Sequence, residues 1–371
     1  MKNNHLNHQV ALTRLEGVGP RTAKVLLAYL GSEDKLFEDS FNLRTQIPGL
    51  AKERFRKLNR SKALLEAQSI VDFVEKNKID TTFFTNENYP KRLKECSDGP
   101  MLLYHRGAFD FNPRKTIAIV GTRNMTSYGK QLINELIIAI APYNVQVVSG
   151  LALGVDGYTH GKCLEHGVPT IGVMGHGLDR IYPSLHLKLA KKMVETKGCG
   201  IITEFPHNTK PDRENFPQRN RIVAGMTDAT IVIESGAKGG SLITALLAND
   251  YARDVFAFPG NIDRPFSKGC NHLIADNKAH LITCGKDLIR LMEWEKDDRE
   301  KIIQANLFEG LNGDETLIVK AIKEFEKISL DVLSVRLKKP VYILSGLLLG
   351  LELRGIVMTL PGKKYALSQL G

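Results

Sequence analysis

Residues 116–123 read TIAIVGTR and give the clearest indication of the fold. Thr116 to Val120 form a short apolar run rich in β-branched side chains, and such a run predicts a buried strand. The run ends in Gly121, and Thr122 and Arg123 follow. Small residues let a backbone approach a phosphate closely, and an arginine can bind it with a fork of donors. The turn after this strand is therefore a candidate anion site.

The same pattern recurs along the middle of the chain. Short apolar runs, nearly all ending in a small residue, occupy residues 145–148, 170–174, 201–203, 229–233 and 255–258. Amphipathic stretches that predict helices lie between them. This alternation predicts an α/β fold with an extended Rossmann-like parallel sheet, covered by helices on both faces. The strand ends define the edge at which such sheets bind ligands.

The flanking regions predict two smaller domains. We expect an N-terminal helical domain of the helix-hairpin-helix or SAM-like type, the sheet domain, a charged linker and a winged-helix-like domain. Their predicted ranges are residues 1–110, 111–295, 296–311 and 312–371. The last assignment follows from three helix signals and a hairpin. Its third helix, residues 341–353, is almost entirely apolar, which favours protein contact or a buried core over phosphate binding.

A glycine-rich turn in the first domain is a possible DNA-binding hairpin. Gly17 and Gly19 precede Pro20, which suits the first turn of a helix. Backbone N–H groups at that helix start could face a phosphate, and a purely structural turn is an equal alternative. A weaker repeat of the pattern at residues 47–50 is more typical of a structural turn.

Composition excludes several classes of protein. The chain has 371 residues, 43% of them hydrophobic, and a formal net charge of +10, which favours a polyanionic partner. Its five cysteines form no C-x-x-C pair, which argues against a disulfide framework and against a zinc site. There is no apolar run long enough for a membrane helix, and the polar start resembles no signal peptide. We expect a cytoplasmic protein with no metal and no membrane partner.

Four loops should meet at the ligand-binding edge and form a nucleic-acid site. Their candidate residues are Gly121, Thr122 and Arg123; Ser149 and Gly150; Arg213, Phe216, Arg219 and Arg221; and Lys238, Gly240, Ser241 and Thr244. An aromatic ring beside planar cations can hold an unpaired base together with its phosphate. The combination is a stronger signal than any one member.

Three of these residues, and the nearby His160, have a structural alternative. Phe216 is expected in an exposed loop, because polar residues precede it and Pro217 follows, but aromatic rings are more often buried. Arg219 and Arg221 can instead form ion pairs, and one of the two is expected to do so. His160 is more typical of a buried structural histidine than of a catalytic one.

The motifs of common nucleotide enzymes are missing. Neither G-x-G-x-x-G after the first strand nor G-x-x-x-x-G-K-[ST] occurs. The best enzymatic alternative is a nucleotide-binding or nucleotide-hydrolysing protein of the lysine-decarboxylase-like family. Leu246 stands where that family's loop motif has its carboxylate. We expect no enzyme activity and no cofactor.

Taken together, these motifs resemble the DNA-processing protein A family (DprA, also called Smf). The resemblance covers the whole sheet domain and is carried by IVGTR at 119–123, SGLALGVD at 149–156, FPQRNRIVAG at 216–225, GGSLITA at 239–245 and GCNHLI at 269–274. It implies a Rossmann core that binds single-stranded DNA without consuming a cofactor, and a homodimer formed through that core. It also implies loading of the RecA recombinase onto incoming strands during natural transformation. On this resemblance the candidate residues above form the strand-binding site, with Arg213 where a lysine is often found.

Overall fold

The computed structural model describes residues 2–37, 58–294, 311–325, 328–354, 356–360 and 364–367. The repeat at residues 47–50 and all but the last residue of the predicted linker lie outside the described residues. The chain divides into two compact units, Met1–Trp294 and Glu295–Gly371. Within the described ranges, no helix has both the length and the apolar character of a membrane span.

The first unit alternates helices and strands over most of its length. Its helices are α1 (Lys2–Arg14), α2 (Pro20–Leu30), α3 (Asp34–Phe37), α4 (Arg60–Lys76), α5 (Lys91–Glu95), α6 (Ser127–Ile140), α7 (Val155–Glu165), α8 (Leu187–Glu195), α9 (Asn215–Gly225), α10 (Gly240–Asp250), α11 (Lys268–Ala275) and α12 (Gly285–Leu291). Its strands are β1 (Asp80–Phe83), β2 (Leu102–Gly107), β3 (Thr116–Val120), β4 (Gln146–Ser149), β5 (Thr170–Val173), β6 (Gly200–Thr203), β7 (Ala229–Val232), β8 (Asp254–Ala257) and β9 (His280–Leu281).

The strands form one nine-stranded sheet in the order β1-β2-β6-β5-β4-β3-β7-β8-β9. The seven strands from β6 to β9 in that order are parallel, as the sequence predicts. The chain builds the sheet from β3 outward to β6, then crosses to β7 on the other side of β3. This reversal makes the carboxyl end of β3 the topological switch point, where open α/β sheets bind ligands.

The parallel strands are buried on both faces. Within β3, Ala118 and Val120 belong to one hydrophobic cluster, and Ile117 and Ile119 belong to the cluster on the opposite face. Successive side chains of a strand point to opposite sides, so a strand buried between two helical layers is apolar at every position. This is why the continuous apolar run at 116–120 identified the sheet.

The helical expectation for residues 1–110 is wrong over part of that range. Residues 80–83 and 102–107 form β1 and β2, and β2 pairs antiparallel with β6. The side chains of Phe83 and Leu103 are buried by this pairing and by the helices above it. Tertiary burial decides such short strands, and local sequence pattern alone does not reveal it. The domain boundary near residue 110 stays a prediction.

The glycine-rich turn joins α1 to α2. Gly17 has φ +77°, a left-handed conformation that favours glycine, and Gly19 precedes α2. A methyl group added at either glycine would meet no other atom within 4 Å, so the turn is open to its surroundings. The Lys24 ammonium donates to the Cys96 carbonyl at 2.7 Å and fastens α2 to the rest of the unit.

The second unit is a small winged-helix arrangement. It contains α13 (Gly313–Phe325), β10 (Ile328–Ser329), α14 (Leu330–Leu337), α15 (Val341–Leu353), β11 (Val357–Leu360) and β12 (Lys364–Leu367), with its strands in the order β10-β12-β11. One side of α15 packs into the core through Leu344, Leu348 and Leu351. Its other side exposes Tyr342 and Leu353, at 77% and 82%.

Candidate nucleic-acid interface

A pocket lies at the switch point, beside the carboxyl ends of β3, β4 and β5. It encloses about 390 Å³, part of it open to solvent. Its lining includes Arg123, Gly150, Leu153, Met174, Tyr182 and Phe216. Three of the four predicted loops therefore meet here. The loop after β5, which supplies Met174 and Tyr182, also takes part, although the sequence analysis did not include it among the four.

Phe216 is half-buried at this pocket, and it belongs to a helix. The prediction that it sits in a loop is wrong, because α9 already begins at Asn215 and Pro217 lies in its first turn, where proline is tolerated. The guanidinium of Arg123 lies 5.4 Å from the centre of the Phe216 ring. The Tyr182 ring is 6.2 Å away, tilted by 31°. An aromatic face, a second ring and a cation thus occupy one opening.

Arg219 lies beneath the pocket and is bound to the protein. Its side chain is buried, and it donates to the carbonyl oxygens of Gly150 and Val173. A methyl group at Gly150 would lie 2.3 Å from the guanidinium, so a larger residue here would displace Arg219 from its present bonds. Arg219 therefore ties the loop after β4 to the end of β5.

Two further buried side chains belong to this region: Asp156 holds the loop after β4, and His160 is bonded to β5. The Asp156 carboxylate accepts from the Gly150 and Ala152 amides at 3.1 and 3.4 Å. Burial raises the pKa of Asp156, and the nearby Arg219 acts against the rise. His160 is fully buried, and its Nδ1 lies 2.7 Å from the Thr170 hydroxyl. Since that hydroxyl donates to a carbonyl, Nδ1 is the donor to it.

The environment of His160 favours its neutral form. Burial lowers the pKa of His160 to about 3. Because His160 is fully buried, the structure agrees with its interpretation as a structural histidine. A neutral, hydrogen-bonded imidazole under the loop stabilises the scaffold and offers no charge to a ligand.

Arg221 also has protein partners. It forms an ion pair with Glu204 and donates to the Asp98 carbonyl at 2.6 Å. Burial raises the pKa of Glu204, and Arg221 opposes the rise. The sequence predicts a structural role for one of Arg219 and Arg221. In the structure both side chains are bound to protein groups. Direct contact of either with DNA stays a prediction and would require these bonds to be shared or broken.

The fourth loop has a buried and an exposed part. Ser241 and Thr244 are buried; the Ser241 hydroxyl lies 2.9 Å from that of Ser235, and Thr244 donates to the Gly240 carbonyl. Lys238 and Gly240 are exposed at the start of α10. The backbone donors and the lysine are thus the parts of this loop available to an anion.

The loop after β3 is fixed by hydrogen bonds to the strand beside it. The Thr122 amide donates to the Glu234 carbonyl at 2.8 Å. The Glu234 carboxylate accepts from the amide and hydroxyl of Thr126, at 2.9 and 2.6 Å. These bonds fix the loop that carries Arg123. Both carboxylate oxygens of Glu234 already accept a hydrogen bond from Thr126.

Gly121, Thr122 and Gly150 are partly exposed, and the other ten candidate residues of the four loops fall into two sets. We call the exposed or half-exposed set the outer group; its members are Arg123, Arg213, Phe216, Lys238 and Gly240. We call the residues bound to protein the inner group; its members are Ser149, Arg219, Arg221, Ser241 and Thr244. Ser149 belongs there because it is fully buried and donates to the Ile119 carbonyl at 2.7 Å.

Family models match both units of the chain. The model described as DNA recombination-mediator protein A matches residues 80–293. The model described as DprA winged helix domain matches residues 308–363.

Curated relatives are similar over much or all of the chain. Protein Smf of Synechocystis is 31% identical over 98% of this chain and 99% of its own length. DNA processing protein DprA of Bacillus subtilis is 40% identical over 53% of this chain and 66% of its own.

Two solved structures share the fold. DNA processing protein A of Streptococcus pneumoniae matches with a TM-score of 0.63 and 29% identity, over 78% of this chain and 98% of that one. DNA processing protein A of Helicobacter pylori, whose structure concerns its single-stranded DNA binding mode, matches with a TM-score of 0.52 and 30% identity. That match covers 59% of this chain and 98% of the other.

Proposed function

Because the chain belongs to the DNA recombination-mediator protein A family, we propose that it binds single-stranded DNA at the switch-point pocket and mediates recombination during DNA-mediated transformation. Binding would use the outer group and would break no bond. The description of the Helicobacter pylori relative as a single-stranded DNA binder supports this assignment.

One observation carries the proposal more than any other. The half-exposed Phe216 ring lies at the mouth of the pocket with the exposed Arg123 guanidinium 5.4 Å from its centre. A base can stack on such a ring while the neighbouring cation binds its phosphate. Because every base has a flat face, this chemistry predicts weak dependence on sequence and strong dependence on salt.

The inner group makes the site rigid before the ligand arrives. Arg219 joins the loops after β4 and β5, and Arg221 joins α9 to the end of β6. Backbone donors at the start of α10 and the charges of Lys238 and Arg213 would add phosphate contacts. A preorganised site loses less entropy on binding a flexible strand.

The nucleotide-hydrolase alternative has less support. Glu204 and Glu234 follow the ends of β6 and β7 and are bound to Arg221 and Thr126 respectively. Asp156 is bound to the amides of the loop after β4. Leu246, at the position where the hydrolase motif has its carboxylate, is an exposed side chain of α10. We therefore infer a binding protein with no catalytic residue and no cofactor.

Family membership extends the proposal to partners. We infer that the chain forms a homodimer through its sheet unit, loads the RecA recombinase onto the bound strand and acts in the cytoplasm. We assign strand binding to residues 111–295, with residues 1–110 and 312–371 as attached modules joined by the 296–311 linker. The open turn at Gly17 and Gly19 is a secondary DNA contact in this scheme.

A gel-shift comparison tests the proposal. Single- and double-stranded oligonucleotides of the same sequence are titrated at two salt concentrations. We expect tighter binding of the single strand and a marked loss of affinity at the higher salt. Equal affinity for both forms, or release of free base from nucleoside monophosphates by a reaction that requires Glu204 or Glu234, would contradict it.

A further inference from the structure

Exposed apolar side chains line the pocket and recur in the chain segment that follows Tyr182. We call four of them the shelf: Leu153, Tyr182, Leu185 and Leu187, which are 40%, 49%, 80% and 58% exposed. Leu153 and Tyr182 also line the pocket. Single exposed apolar side chains are common on proteins, but three leucines and a tyrosine on two chain segments at a proposed binding site offer apolar contacts to a ligand there.

The shelf is held firmly against the loop after β4. His186, between Leu185 and Leu187, is linked through Nδ1 to the Leu151 carbonyl at 2.9 Å. The Tyr182 amide donates to the buried His176 ring at 3.2 Å. These bonds fix the segment that carries three of the four shelf residues, so the surface is already formed without a ligand.

A row of cations borders the shelf on α8. Lys188, Lys191 and Lys192 are exposed on this nine-residue helix, which begins at Leu187. At spacings of three and four residues along a helix they lie on one side. In the described part of the chain none of the three forms an ion pair. Their charges are therefore available to a polyanion.

We propose that the bound strand leaves the pocket over Tyr182 and continues across the shelf, with bases against Leu185 and Leu187 and phosphates beside the lysines of α8. Apolar side chains interleaved with unpaired cations match a single strand, which offers flat apolar faces and regularly spaced negative charges. A duplex hides its base faces and does not fit this surface. The inference rests on the proposed function, because it lengthens the path of the same ligand.

Charge reversal tests the path. Lys188→Glu combined with Lys191→Glu is compared with Lys76→Glu combined with Lys197→Glu, which changes the net charge equally. Lys76 and Lys197 are exposed and precede β1 and β6, at the edge of the sheet away from the pocket. Each protein is titrated with oligothymidines of about 4 and about 16 nucleotides, which span the usual site sizes of strand-binding folds.

We expect the α8 variant to lose about tenfold or more in affinity for the longer strand and to bind the shorter one within about twofold of the unchanged protein. Its salt slope on the longer strand should fall by about 1.4, from two phosphate contacts at about 0.7 each. The control variant should match the unchanged protein on both strands. Thermal unfolding midpoints confirm that all three are folded.

The apolar part is tested separately with Leu185→Ser combined with Leu187→Ser. Both side chains are exposed, so the fold is retained, and we expect the same selective loss on the longer strand. If the unchanged protein binds neither oligothymidine, the proposed function itself fails. If it binds both and neither shelf variant discriminates between them, the path is wrong. If the leucine variant keeps strand binding but loses self-association or recombinase binding, the shelf is a protein surface and the inference is overturned.

Discussion

The outer and inner groups of the interface come from the same loops, yet their polar atoms have different partners. Arg123 is exposed beside an aromatic ring, whereas Arg219, on the other side of the same pocket, is buried and bound to backbone carbonyls. The same side chain is thus available for the proposed recognition in one place and is bound into the scaffold in the other. What separates the two roles is burial: a buried guanidinium must satisfy its donors within the protein.

Arg219→Ala should give the largest effect and should act on stability. Its removal leaves two carbonyls without their donor and Asp156 without its compensating charge, so we expect a loss of about 3 to 5 kcal/mol in the free energy of unfolding. Urea titration measures it. Arg123→Ala is the matched control and should change stability by no more than about 0.5 kcal/mol. Equal effects of the two substitutions would remove the distinction between the groups.

We expect the buried His160 to make the stability of the fold sensitive to acid. The pKa of His160 in the folded state is about 3, below the ordinary value of 6.5. Between these two values the unfolded chain binds a proton at this residue and the folded chain does not. Stability from this residue is therefore present above pH 6.5 and is lost as the pH falls toward 3. His160→Asn removes the titrating group. Between pH 7 and pH 5 the free energy of unfolding of this variant should therefore fall by about 2 kcal/mol less than that of the unchanged protein. Identical losses in both proteins, measured by urea titration, would show that the imidazole does not carry this dependence.

Phe216→Ala tests the outer group on affinity. Loss of one stacked base costs about 1 to 3 kcal/mol, so binding of an oligothymidine should weaken about fivefold or more. Phe216→Tyr, which keeps the ring, should bind within about twofold of the unchanged protein. An unchanged affinity for the alanine variant would mean that the ring is part of the packing and that the pocket is misplaced.

Arg123→Ala should have a smaller, more specific consequence. Removing one phosphate contact lowers the slope of log affinity against log salt by about 0.7 for a single strand. Binding measured at several salt concentrations gives the slope. Arg123→Lys should restore it, because it returns the charge. A slope that does not change in the alanine variant excludes this contact.

Deletion of residues 312–371 should have the smallest effect on strand binding. The outer group lies entirely in the first unit, and α15 presents exposed apolar side chains where a DNA-reading helix would need cations. The affinity of the shortened protein for oligothymidine should therefore stay within about twofold of that of the full chain. A loss of recombinase loading with binding intact would assign the second unit to protein contact; a large loss of affinity would assign it to DNA.

Much of the fold follows from local sequence, and much of the site does not. The buried parallel strands are predictable because they are apolar at every position, and their ends locate the ligand edge. Which side chains stay exposed depends on distant partners: Gly150, far away in the chain, leaves room for the buried guanidinium of Arg219. Pro217 suggests a loop at Phe216, although both residues lie in the first turn of α9. No local pattern reveals that the loop of Tyr182 reaches the pocket and adds a second ring there.

The pairing of β2 with β6 has a practical consequence for anyone who shortens this protein. A fragment beginning near residue 111 would lack β1 and β2 and would display the unpaired N–H and C=O groups of β6 along one margin. Such a margin is a template on which further chains add as strands, so the fragment should precipitate or form disordered multimers. Fragments intended for crystallisation or NMR should keep β1 and β2 together with the helices that pack on them, because Phe83, Leu102 and Tyr104 share one hydrophobic cluster with α1, α2 and α4.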